Sequence, residues 1–214
     1  MKLFSRNPRP DEIAAQRDRL AGLEVEAAAL RGEVGELREL VSHLDQDTKM
    51  LLAAIETLEP GKPVLELARI MHTLVFRPFD LASFFVALVD WDKDLLEFPF
   101  YHEGGRPRQH PSRKFSERPG LTGRAILSGA PLYTRTLEEA EELGTILTEA
   151  EKGSGLIPAS WYGVPMGSSK KPFGLVSFQS FQVDAFSEHR LRMLNALSEV
   201  LAMAIFGRLR LYGR

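Results

Sequence analysis

From Ile13 onward, apolar side chains recur at alternating steps of three and four residues. One series runs Ile13, Leu20, Ala27, Val34, Val41, Thr48, Ile55; the other runs Gln16, Leu23, Leu30, Leu37, Leu44, Leu51, Leu58. Twelve of these fourteen positions are apolar, where the chain-wide 44% would give about six. A seven-residue repeat held over several heptads predicts a left-handed coiled coil rather than a lone amphipathic helix. Apart from Gln16 the second series is Leu throughout, and five of the seven residues in the first are β-branched, a combination that favours two parallel strands. The flanking charges agree. In a parallel homodimer Glu12 would meet Arg17, Arg19 would meet Glu24, Glu26 would meet Arg31 and Glu33 would meet Arg38, every pair opposite in sign. Such exposed pairs contribute only ~0.2–1 kcal/mol each, so the leucine layers would supply the energy and the charges the register. The expected seam is Leu20, Leu23, Leu30, Val34, Leu37, Val41, Leu44, Leu51, Ile55 and Leu58, on a helix over 11–59 that follows a disordered stretch, 1–10.

The pattern stops at Glu59-Pro60-Gly61-Lys62-Pro63, where two prolines and a glycine break the helix and predict a hinge at 60–63. Pro63 suits the first position of a new helix, and Val64, Leu67, Ala68, Met71, Leu74 and Val75 follow at helical spacing up to Pro78. Ser83 to Val89 is a short apolar run consistent with a buried strand. A turn at Asp90-Trp91-Asp92-Lys93-Asp94 leads into a second, antiparallel strand over Leu95–His102, with a possible third at Arg113–Ser116. Between them the stretch from Glu103 to Pro111 reads as loop. Pro119-Gly120-Leu121-Thr122-Gly123 opens a short helix that Gly129 and Pro131 close, and Leu132-Tyr133-Thr134 is extended. Glu138 to Glu151 reads as one acidic helical stretch with a solvated face. Ser160–Met166 and Gly174–Phe181 form a hairpin about a polar turn. Ser187 then caps a closing helix whose Leu191, Leu194, Leu197, Leu201 and Ile205 line one face down to Gly207, leaving 207–214 as a tail. This order predicts an α+β domain, one antiparallel sheet with helices packed on it, over residues 63–206.

Composition narrows the chemistry. The chain has 214 residues and a formal net charge of -2, which gives no sign of a nucleic-acid partner or a membrane surface. No apolar run approaches the ~18–20 residues of a membrane span, and the N-terminus lacks the apolar stretch of a secretory signal, so a cytoplasmic protein is expected. There is no cysteine, hence no disulfide, no thiolate metal site and no cysteine nucleophile. Neither a GxGxxG motif, a P-loop nor a nucleophile elbow occurs, and no catalytic or metal-ligating set is expected.

Three segments together resemble GAF domains, most closely those of bacterial sensor kinases and related signalling proteins. They are Gly120-Leu121-Thr122-Gly123-Arg124-Ala125-Ile126-Leu127-Ser128-Gly129-Ala130-Pro131-Leu132, then Ser160-Trp161-Tyr162-Gly163-Val164-Pro165-Met166, then Phe173 to Ser180 with Phe186-Ser187-Glu188. The resemblance implies a regulatory module holding a small molecule between the sheet and the short helices, on the face opposite the first and last helices. Carried over by motif, the pocket residues would be Phe100, Phe115, Leu121, Thr122, Tyr133, Trp161, Tyr162 and Gln179; for each aromatic the alternative is plain core packing. Unpaired backbone N–H groups near Thr122 would suit an anionic or carbonyl group.

The family's special chemistries can be screened in the same way. Without cysteine there is no covalently attached bilin and no cysteine-dependent methionine sulfoxide reduction. The Asn-Lys-Phe-Asp-Glu set of cyclic-nucleotide members is missing, Arg113-Lys114-Phe115-Ser116-Glu117 being only an echo, so a cyclic nucleotide is disfavoured. Haem would need an axial ligand from His72, His102, His110 or His189, no two of which stand at a metal-ligand spacing, and is not expected. The expectation is a non-enzymatic, dimeric sensor or adaptor whose output passes through a partner such as a kinase or regulator. The alternative is a structural scaffold with a vestigial, ligand-free GAF domain.

Overall fold

The computed structural model describes residues 9–117 and 119–212 and divides into two units, Met1–Lys49 and Met50–Arg214. Most of the stretch read as disordered, residues 1–8, lies outside the described residues, as does the Glu12 side chain. The helix α1, Pro10–Thr57, is continuous and includes the predicted heptads. In the first unit its apolar row stands in solvent: Leu20, Leu23, Leu30, Val34, Leu37, Val41 and Leu44 are all exposed.

The second unit begins with the last two turns of α1, and here two expected seam residues are used differently. Leu58 is only 4% exposed and lies in the core of this unit with Ala54, while Leu51 packs against the same core. Ile55 stays exposed. Beyond the proline hinge come α2 (Val64–Val75), β1 (Ser83–Asp90), β2 (Leu95–Glu103) and two-residue strands β3 (Arg106–Pro107) and β4 (Arg113–Lys114). Then follow α3 (Gly120–Ser128), β5 (Leu132–Thr134), α4 (Leu137–Glu142), α5 (Glu149–Ser154), β6 (Ser160–Ser168), β7 (Lys171–Ser180) and α6 (Glu188–Tyr212).

The seven strands form one antiparallel sheet in the order β3-β2-β1-β7-β6-β5, with β4 also on β2. The predicted α+β architecture is therefore present. β3 falls in the stretch whose sequence reads as loop, because two residues are too few to show a period. The hairpin strands run closer to their turn than expected, to Ser168 and from Lys171.

Strand alternation sends side chains to two separate cores. Phe84, Val86, Tyr162, Val164, Val176 and Phe178 face α2 and α6, whose Leu67, Met71, Leu194, Leu197 and Leu201 are buried against them. Phe85, Ala87, Trp161 and Leu175 face the other way, towards Leu121, Ala125 and Ile126 of α3. At the start of α6 the Arg190 N–H donates to Ser187 Oγ, as expected of a cap, and Phe186 before it is buried. The helix does not end at Gly207. A Cβ there would stand 2.8 Å from Pro60, so this glycine lets the hinge proline lie against the helix.

The acidic stretch is two short helices rather than one, broken at Gly144, which has a φ of 76°. Thr136 caps α4, and Thr148 with Glu151 forms a capping box on α5. Nor is this stretch wholly solvated, since Ala140 and Glu151 are buried. Among the described residues no helix is long and apolar enough to cross a membrane.

Candidate functional site

On the α3 side of the sheet the strands and helices do not close completely. A cavity of about 60 Å³ remains, floored by Phe85, Tyr101, Trp161 and Gln179. Its wall is the start of α3 with Leu121 and Thr122, and α4, α5 and the segment after Gly144 cover it. Trp161 owes its place to a missing methyl group. An added Cβ on Gly163, two residues along the same strand face, would stand 2.0 Å from the indole ring. Only glycine lets the ring lie along β6. At the mouth of α3, Gly120 adopts a φ of +58°, in the left-handed region, which turns the chain sharply into the helix.

Of the eight residues expected in the pocket, Leu121, Thr122, Trp161 and Gln179 line this cavity. Phe115 belongs to the same core but packs edge-on against Trp91, outside the cavity. Phe100, Tyr133 and Tyr162 lie on the opposite face of the sheet. Trp161 and Tyr162 are consecutive on one strand and so point apart, and Tyr133 pairs with Tyr162 in the register and shares its face. Phe100 is displaced by a bulge. Val86 pairs with Phe100 and Leu88 with Glu97, so Phe98 and Pro99 together oppose Ala87. That extra residue reverses the alternation: Phe98 and Tyr101 face the cavity and Phe100 faces away. Sequence reasoning missed Phe85, Phe98, Tyr101, Arg113 and Glu151. The bulge's only trace in the sequence is Pro99, and nothing local signals the others.

The polar groups of the site fall into two sets. The first is engaged. Glu151 Oε2 accepts the Thr148 N–H at 2.6 Å, and Glu103 Oε1 accepts the Thr148 hydroxyl at 2.7 Å. Burial raises the Glu151 carboxyl, the bonds from Thr148 lower it, and the nearby Glu103 raises it again. Tyr101 is raised by burial and then by Glu151 and Glu103, with the neighbouring Ser83 and Gln179 side chains acting the other way. Ser160 Oγ donates to the Gln182 carbonyl. His110 stacks on Tyr101 with Nδ1 3.0 Å from the Pro111 carbonyl, and burial is the main cause that holds it below its ordinary pKa.

The second set is not engaged. Trp161 is 6% exposed and Thr122 is 5% exposed, yet neither the indole N–H nor the hydroxyl makes a hydrogen bond among the described residues. The first backbone bond of α3 is Gly123 N–H to Pro119 O at 2.9 Å, and no side chain caps the helix start. Beside it lies the Arg113 guanidinium, whose Nη2 donates to Pro119 O at 3.4 Å.

Two of the histidines screened as haem ligands meet elsewhere. His72 of α2 and His102 of β2, thirty residues apart, pack with ring centroids 4.1 Å apart on the α2 face, among Phe76, Phe84 and Phe100. His72 Nε2 and His102 Nδ1 are buried without partners, and burial followed by His102 pushes His72 down to about 4. Among the described residues no group of three or more His, Asp or Glu side chains is placed to hold a metal ion. The cavity itself is less than half the ~150 Å³ that accommodates benzene.

Comparison with known proteins agrees with this architecture. No curated protein matches the chain in sequence. Among solved structures it is similar to the GAF domain of an Acinetobacter phosphoenolpyruvate-protein phosphotransferase, at 20% identity and a TM-score of 0.63 over 81% of this chain and 97% of that one. It is also similar to the free methionine-R-sulfoxide reductase of Neisseria meningitidis, solved with its substrate, at 19% identity and a TM-score of 0.61 over 77% and 90%. A third is the A. aeolicus nlh2 GAF domain in an inactive state, at 14% identity and a TM-score of 0.56 over 76% and 97%. At these identities the likeness is one of fold. The family model of the GAF domain matches residues 62–205, two thirds of the chain and the whole sheet with its helices, and the chain therefore belongs to the GAF domain family.

Proposed function

We propose that this chain is a non-enzymatic, dimeric signalling sensor or adaptor that holds a small molecule between the sheet and α3. GAF domains commonly serve signalling and small-molecule sensing, which sets the class. The observation that carries the reading is the unengaged Trp161 N–H and Thr122 hydroxyl beside a cavity. Both donors belong to buried residues, yet their polar atoms stay open to the cavity instead of being sealed against a partner, as a ligand site requires. This favours a ligand over the vestigial scaffold. The Neisseria neighbour is an enzyme, but the lack of cysteine and of any motif for nucleophilic or metal chemistry supports a regulatory role here.

Dimerisation completes the proposal. Leucines left about half exposed at heptad spacing on α1, such as Leu37 at 53%, favour a second copy zipped in parallel alongside the first. A ligand on the α3 face would shift β1 and β7, which are packed on their other face by α2 and α6, and so bias those helices for an output partner. The proposed setting is the cytoplasm. A thermal-shift screen of the full chain against amino acids, 2-oxo acids, small anions and nucleotides tests the reading. At least one small compound is expected to raise the melting temperature in a saturable way, with Thr122→Val reducing the rise. A screen without a stabilising compound would return the chain to the scaffold alternative.

A further inference from the structure

We infer that the cavity takes a planar oxyanion of carboxylate type at its α3 end. This rests on the reading of the cavity as a ligand site and names the chemistry of its ligand. The argument turns on which hydrogen-bonding groups are already satisfied. On the acceptor side, one oxygen each of Glu151 and Glu103 is taken by Thr148 in the cap of α5. The groups still open at the α3 end of the cavity are donors. They are the Trp161 indole N–H, the Thr122 hydroxyl and the backbone N–H groups of α3 that precede its first intrahelical bond.

Charge points the same way. The N-terminus of α3, a nine-residue helix, carries the positive end of its dipole, and its first turn holds no acidic residue. Arg113 adds a full positive charge: its Nη2 lies 3.5 Å from where a Gly120 Cβ would stand. A cation would find these donors turned towards it, whereas an oxyanion accepts from all of them. Size sets the next limit. By proportion with the benzene cavity, about 60 Å³ admits two to four heavy atoms, the size of formate, nitrate or a carboxylate group. A larger acid has room to continue outward, because an open groove of about 380 Å³ beside Arg108 and Thr148 shares Tyr101, His110 and Arg113 with the cavity.

The chain carries its own reporter and its own control. Of its two tryptophans, Trp91 donates its indole N–H to the Pro172 carbonyl at 2.7 Å, and Trp161 donates to nothing among the described residues. The experiment titrates ¹⁵N-labelled full-length chain, at fixed ionic strength, with formate, nitrate, acetate, succinate, acetamide and methylammonium. Formate and acetate are expected to move the Trp161 indole signal and the Leu121–Gly123 amides saturably while Trp91 stays still. Thr122→Val should weaken that binding at least fivefold with the Trp91 signal retained as the check on folding. If succinate binds more tightly and moves His110 and Thr148 as well, the ligand is a carboxylate-headed molecule. If formate and nitrate saturate and larger acids do not, it is a free small oxyanion; either result supports the assignment. Equal shifts with acetamide, or a response to methylammonium alone, overturn the oxyanion and leave the sensor intact. Silence from every probe, with a stabilising compound of another kind in the thermal screen, overturns it too, and silence in both experiments removes the sensor with it.

Discussion

At Gly163 the chain makes room for an indole, and the site depends on that one absent methyl group. With a Cβ 2.0 Å from the ring of Trp161, Gly163→Ala must move either the strand or the tryptophan. Overpacking of this kind costs about 1–3 kcal/mol. Urea denaturation should show the loss as a lower midpoint, accompanied by displacement of the Trp161 indole signal and not that of Trp91. A second residue-scale consequence concerns acid. His72 titrates at about 4 in the fold against an ordinary 6.5, because its ring is buried and stands beside His102, which burial also lowers. The unfolded chain therefore takes up a proton at a higher pH than the folded one. This contribution to stability is complete above pH 6.5 and falls as the pH drops from there to about 4. Denaturation midpoints measured at pH 7 and pH 5 should differ, lower at pH 5. His72→Phe, placed among Phe76, Phe84 and Phe100, should narrow the difference. An unchanged difference would show that other groups set the acid limit.

The elements show how far a local pattern reaches. Helices α1, α2, α3 and α6 and the β6–β7 hairpin were legible because each carries a strong period or a strong stop signal: the leucine row, the prolines around residue 60, the glycine at 129, Ser187 as a cap. Which face a strand residue takes was less legible. Alternation fails at a bulge, and the bulge opposite Ala87 brought Tyr101 into the site beside Phe98 and turned Phe100 out of it. The heptad pattern likewise predicts that Leu58 and Leu37 do the same work, and packing separates them. Leu58 lies in the core of the second unit, so Leu58→Ala should cost about 2–5 kcal/mol in its thermal or urea unfolding. Leu37 is exposed, and Leu37→Ala should leave that transition in place. Its effect is expected on association instead, as a weaker dimer in sedimentation equilibrium.

For the whole molecule the open question is pairing. Because the chain has no cysteine, Leu37→Cys supplies a single thiol, and in a parallel in-register dimer the two copies of it meet across the seam. Mild oxidation should convert most of the protein to a covalent dimer that a reductant reverses. A chain that stays monomeric under these conditions, and in sedimentation at micromolar concentration, would exclude the proposed zipper and require another route for the signal.

Read alone, the amino-acid order specified the helical rod, its break at the prolines, the α+β class and the family, because periodicity, caps and short motifs are written in neighbouring residues. It also ruled out thiol chemistry, since composition needs no fold to be read. Only the folded chain decided which side chains converge. Tyr101, Arg113 and Glu151 come to Trp161 from different strands and helices, and His72 meets His102 across the sheet surface. The division of the cavity's polar groups into engaged acceptors and open donors depends on distances between residues far apart in sequence, and no local pattern encodes such distances.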